Sequence, residues 1–111
     1  IKKLGRPTDQ RMALLKGLVL SLFDNGKIKT TDLRAKQASR LAERLITLAK
    51  DGSVTARRRA LQILPQKDII KSLFEAMPKR FEKRDGGYTR ITKLGLRRGD
   101  AATISLLEIV E

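Results

Sequence analysis

The chain has 111 residues, with 25 Lys or Arg against 12 Asp or Glu and a formal charge of +13. That length makes one small domain, and a hydrophobic fraction of 41% gives it a modest core. With no Cys and no His, disulfides, thiol chemistry, the commonest zinc sites and the usual neutral-pH general base are excluded. Self-repulsion at this charge calls for a polyanionic partner, with nucleic acid ahead of an anionic membrane surface.

Residues 1–7 read as a basic arm carrying Lys2, Lys3 and Arg6 and ending at Pro7, and residues 8–111 read as the single domain. The arm and the run Leu18 to Phe23 together mimic a signal peptide. The run is short, however, and Asp24-Asn25-Gly26 follows it instead of a small-residue cleavage site. No stretch reaches the roughly 18–20 apolar residues of a membrane span.

Thr8 is an N-cap for a first helix, with Asp9 favoured by the dipole in its first turn. Met12, Leu15, Val19, Leu22 and Phe23 recur at helical spacing, and Asn25-Gly26 stops the helix with a left-handed cap. Lys27 to Thr30 is a short strand candidate. Thr30 or Thr31 caps a second helix, whose apolar face is Ala38, Leu41, Ala42, Leu45, Leu48 and Ala49. Lys36, Arg40 and Arg44 form a stripe at i, i+4 and i+8 on its other side, and Asp51-Gly52 ends it.

Ser53 opens a third helix that stops before Pro65, with Leu61 and Leu64 inward and Arg57, Arg58 and Arg59 spread around it. Asp68 caps a fourth helix with the stripe Ile70, Leu73, Phe74 and Met77, and Pro78 ends or kinks it. Phe81 continues that stripe on a following turn. Gly86-Gly87 then leads into a strand from Tyr88, and Thr103 to Val110 is a second strand. The loop between them, from Gly95 to Ala102, closes a hairpin. A lone hairpin is marginal, so Lys27 to Thr30 is wanted as a third strand. The expected fold is α+β, with about four helices on one face of a small mixed or antiparallel three-stranded sheet.

No catalytic constellation stands out. Asp9, Asp24, Asp32, Asp51 and Asp68 sit at expected helix ends or turns, and Glu43, Glu75, Glu82 and Asp85 read as isolated surface carboxylates. Gly86-Gly87 lacks the Lys-Ser or Lys-Thr pair of a P-loop, leaving a turn or a close backbone approach to an RNA phosphate. No catalytic, cofactor or metal residue is assigned, and no small-molecule substrate is expected.

The basic residues carry the signal. They cluster on several elements: the arm, helix two, Arg57-Arg58-Arg59, Lys79-Arg80-Lys83-Arg84, and Arg97-Arg98 at the hairpin tip. A DNA reader concentrates charge around one recognition helix. The three Phe fall on apolar stripes, so Tyr88 alone is left to stack on a base. That is too few aromatics for a stacking platform, and grip on structured RNA through phosphate and 2′-OH contacts fits better. The alternative is a basic DNA-binding or nucleoid-associated protein.

Several stretches carry a resemblance. They are Leu4-Gly5-Arg6-Pro7-Thr8-Asp9-Gln10-Arg11, Lys29-Thr30-Thr31 with Arg34-Ala35-Lys36, and Leu45-Ile46-Thr47-Leu48-Ala49-Lys50. Gly86-Gly87-Tyr88-Thr89-Arg90-Ile91 with Arg97-Arg98-Gly99-Asp100, and the ending Leu107-Glu108-Ile109-Val110-Glu111, complete the set. In this order along the whole chain they resemble the bacterial large-subunit ribosomal protein family L-seventeen, of bacterial or plastid type. Members often carry Pro-Met after Asp-x-Ala near the end, where this chain has Asp100-Ala101-Ala102 leading into Thr103-Ile104.

The resemblance implies a structural, non-enzymatic protein of the cytoplasmic or plastid ribosome. It would bind large-subunit rRNA near the nascent-chain exit tunnel, beside neighbouring ribosomal proteins and away from any membrane. The expected RNA contacts are Lys2, Lys3, Arg6, Arg11, Lys36, Arg40, Arg44, Arg57, Arg58, Arg59, Tyr88, Arg90, Arg97 and Arg98.

Overall fold

The computed structural model describes residues 8–99 and 102–110, with Thr8 and Asp9 described by backbone alone. The expected arm contacts Lys2, Lys3 and Arg6, and the side chains of Thr8 and Asp9, lie outside the described residues. The elements in chain order are α1 (Thr8–Asn25), β1 (Lys27–Thr31), α2 (Asp32–Asp51), α3 (Val54–Ile63), α4 (Lys67–Arg80), β2 (Thr89–Leu96) and β3 (Thr103–Ile109).

Short, specific signals set the helix ends. Gly26 has φ +83° and donates its N–H to the Leu22 carbonyl at 2.7 Å, a conformation that favours glycine and that stops α1. Gly52 closes α2 by donating to the Leu48 carbonyl. The Ser53 hydroxyl accepts from Ala56 N–H at 3.0 Å and starts α3.

Two expected ends move. The N-cap of α4 is Gln66, not Asp68, because the helix begins directly after Pro65-Gln66. Asp68 falls in its first turn, where its charge still suits the dipole. Pro78 does not end α4, which runs on to Arg80. Lying in the last turn, Pro78 removes one backbone donor, while Phe81 N–H still reaches the Met77 carbonyl at 3.0 Å.

The sheet is antiparallel throughout, in the order β1-β3-β2, so the last strand is the central one. The register aligns Ile28, Leu107 and Ile91 on one face and Lys27, Glu108 and Arg90 on the other. A bulge between Lys93 and Gly95 shifts the register of β2 toward its tip. The helices cover the face carrying Leu107 and Ile109. α1 and α2 touch the sheet, and α3 and α4 join the layer by packing on α2.

Helix α2 is the hub. Ala35, Ala38, Ala42 and Ala49 are fully buried along it, and their small side chains let neighbouring elements approach closely. Leu45 and Ile46 fill the space between, with Leu22, Leu64, Ile70, Phe81 and Leu107 against them. On α3 the buried residues are Ala56 and Ala60; Leu64 is also buried, as expected, and Leu61 is half-buried. Phe74 is half-buried at the edge of the core, and the fully buried aromatic is Phe81.

Candidate nucleic-acid interface

The basic hairpin β2–β3 is fastened to α2 at its base. Glu43 of α2 accepts from the Thr89 amide at 2.8 Å and from the Thr89 hydroxyl at 2.9 Å. Ser39 Oγ lies 2.7 Å from the same hydroxyl. Glu43 is therefore not an isolated surface carboxylate: it holds the first residue of β2. On the neighbouring strand, Arg80 donates to the Val110 carbonyl at 2.9 Å through Nη2.

Tyr88 belongs to this base and not to the exposed basic surface. It is 3% exposed, its ring 4.9 Å from that of Phe81, with the Lys50 ammonium 5.4 Å from its centroid. Lys50 also donates to the Arg84 carbonyl. Neither face of the Tyr88 ring is open to a base, which removes Tyr88 from the candidate contacts. Tyr88 stands just before β2, and its packing on Phe81 and Lys50, not strand alternation, holds it inward.

Toward the tip the same hairpin is solvated. Every residue from Thr92 to Gly99 is exposed, with Leu96 at 71%. Arg97 N–H donates to the Ala102 carbonyl at 2.7 Å, which closes the loop and holds the two arginines on a short stem.

The other expected contacts fall on separate faces. Lys36, Arg40 and Arg44 are all exposed along α2, as the helical spacing predicts. Lys36 is partly committed, with its Nζ 3.1 Å from Asp32. Asp32 also accepts from the Ser105 hydroxyl at 2.8 Å. That hydrogen bond and the Lys36 ammonium hold the Asp32 carboxyl below its ordinary value of 3.8.

Arg57, Arg58 and Arg59 are exposed on α3, and the Arg57 guanidinium rests 5.2 Å from the centre of the Phe74 ring. Arg90 is neutralised in part by Glu108 across the strand pair, at 3.2 Å. Arg11 is half-buried on α1. No ion pair engages Arg40, Arg44, Arg58, Arg59 or Arg98 among the described residues.

Lys27 and Lys29 were not among the expected contacts. Both are exposed, and the register sets Lys27 in one row with Glu108 and Arg90 on the open face of the sheet. The alternation Lys27-Ile28-Lys29-Thr30 carries that signal, since a period of two puts both lysines on one face.

Among the described residues no group of His, Cys, Asp or Glu could hold a metal ion, and no helix is long and apolar enough to cross a membrane. A small α+β domain that carries cations outward on two helices, an open sheet face and a hairpin tip is of the class of basic scaffold proteins that assemble with nucleic acid. The chain belongs to the family described as Ribosomal protein L17, whose profile matches residues 14–110.

It is 53% identical to the large ribosomal subunit protein bL17 of Finegoldia magna over 111 residues, all of this chain and 85% of that protein. It is 51% identical to the bL17 of Clostridium tetani over 109 residues, which are 98% of this chain and 96% of that one. The bL17 of Clostridium botulinum strain Hall is 50% identical over the same shares. The chain is a ribosomal structural protein and not an enzyme.

Proposed function

We propose that this chain is a structural constituent of the large ribosomal subunit in the cytoplasm. In this reading it binds large-subunit rRNA near the nascent-chain exit tunnel, beside other ribosomal proteins. The relatives are large-subunit proteins over nearly their whole length. The observation that carries the RNA reading is the set of exposed cations without intramolecular ion pairs among the described residues. Among them are Arg40 and Arg44 on α2, Arg58 and Arg59 on α3, and Arg98 at the hairpin tip.

Cations spread over several faces suit a protein embedded among phosphates better than a single groove reader. Lys27 and Lys29 extend that surface across the open face of the sheet. The tunnel-exit position rests on the family resemblance.

The test is co-sedimentation with large subunits, paired with titration of large-subunit rRNA fragments and duplex DNA over a range of salt. The chain should enter the subunit and prefer structured rRNA. Charge reversal at Arg40 and Arg44 should reduce incorporation without lowering helicity. Equal affinity for duplex DNA, with no incorporation, would favour a DNA-binding protein instead.

A further inference from the structure

Helix α1 is apolar around much of its circumference, yet among the described residues it is covered on one side only. Val19 and Leu22 are buried against α2, β1 and β3, while Met12 and Leu14 are 37% and 36% exposed. A helix that is apolar all round normally has neighbours all round. Close to Leu14, on the first turn of α2, Leu33 is 57% exposed.

Between the two helices lies a cleft of about 120 Å³ lined by Leu14, Leu15, Leu18 and Leu33, with Arg11 and Arg34 beside them. The Arg11 Nε is buried with no hydrogen-bond partner among the described residues. Among the described residues the cleft lining contains no carboxylate, and the nearby Asp32 is already engaged by Ser105 and Lys36.

We propose that this cleft docks a segment of another protein in which an aliphatic side chain lies beside a carboxylate. The aliphatic group fills the leucine-lined space, and the carboxylate meets the Arg11 and Arg34 guanidiniums. Phosphate and ribose would satisfy the guanidiniums but leave the leucines covered and unfilled, which disfavours RNA as the occupant. The site is separate from the arginines of α3 and the hairpin tip, so it stands whether or not those bind rRNA.

The test uses the full chain and a fluorescein-labelled peptide of leucine and glutamate, read by fluorescence anisotropy. A polyglutamate of equal length and an rRNA hairpin serve as comparators. The leucine–glutamate peptide should bind at least about tenfold tighter than polyglutamate, and Leu33→Gln should weaken it at least about fivefold. Leu14→Gln and Arg34→Gln should weaken it too. Leu33 is exposed, so its variant should keep the circular dichroism of the parent, and its affinity for the rRNA hairpin should be unchanged.

Equal binding of the two peptides, or a peptide affinity indifferent to Leu33→Gln, overturns the proposal in favour of unspecific charge attraction. Loss of rRNA affinity in Leu33→Gln overturns it in favour of an RNA contact. Peptide binding that emerges only when residues 1–7 are removed overturns it in favour of the chain's own arm as occupant.

Discussion

The two ends of the β2–β3 hairpin are built for different tasks. At the base, Thr89 is held by Glu43, Tyr88 lies between Phe81 and Lys50, and Arg80 bonds the Val110 carbonyl. At the tip, Leu94, Leu96, Arg97 and Arg98 are all exposed, and the bulge at Lys93–Gly95 turns the strand away from its earlier register. Burial and charge-assisted hydrogen bonds concentrate at one end, and exposed cations at the other. Buried support and exposed charge are thereby separated along the same two strands. Substitutions at the base should act through folding, and those at the tip through binding.

The largest effect is expected from Phe81→Ala. This ring is 1% exposed and packs on Tyr88. Its loss should cost about 3–5 kcal/mol, the range for truncating a buried aromatic. That is a large share of the roughly 5–15 kcal/mol that holds a small domain together. Thermal melting of the free protein measures it, and rRNA affinity should fall only in step with the unfolded fraction. Phe74, on the same apolar stripe in the sequence, is half-buried beneath Arg57. Phe74→Ala should cost roughly 1–2 kcal/mol, in proportion to its smaller burial. Equal melting losses at the two positions would erase the distinction between core and edge.

Glu43→Ala should come next. It leaves the Thr89 amide without its acceptor, at a cost of about 1–3 kcal/mol. Hydrogen exchange should quicken first at Thr89 and its neighbours and leave α3 unaffected. Uniform loss of protection through the whole chain would mean that the hairpin base is no local fastening.

At the other end, the double variant Arg97→Ala with Arg98→Ala should alter stability by no more than about 0.5 kcal/mol. Its rRNA affinity should fall, and the dependence of log affinity on log salt should flatten by about 0.7–0.9 for each phosphate that is no longer neutralised. An unchanged salt slope would leave the tip without an RNA role.

The smallest effect concerns Asp32, whose folded-state carboxyl is held low by the Ser105 hydroxyl and the Lys36 ammonium. A depressed carboxyl contributes stability that is present above its unfolded value of 3.8 and is lost as pH falls through the lower folded value. Melting curves below about pH 4 should therefore be less steep in pH for Ser105→Ala than for the parent. Identical curves would remove Asp32 from the acid response.

Much of this architecture was legible in the residues alone. Gly26 and Gly52 mark helix ends because a left-handed cap suits glycine, and Ser53 marks a start because its hydroxyl satisfies a free amide. The stripe Lys36, Arg40 and Arg44 follows from helical period, and its exposure followed in turn. These are local effects, decided within one turn of chain. Glu43 and Tyr88 were misread because partners lie far along the chain, Thr89 46 residues from Glu43 and Lys50 of α2 over the Tyr88 ring. No periodicity encodes such a meeting.

Charge, helix period and turn chemistry determined by themselves that this is a small, basic α+β domain whose cations face outward. Tertiary structure decided which strand is central, which aromatic is core and which carboxylate is structural. It also left an apolar cleft between α1 and α2 uncovered by the described residues. The reason is physical: those outcomes depend on which surfaces meet, and surfaces far apart in sequence meet only when α2 buries its apolar face against the other helices and the sheet.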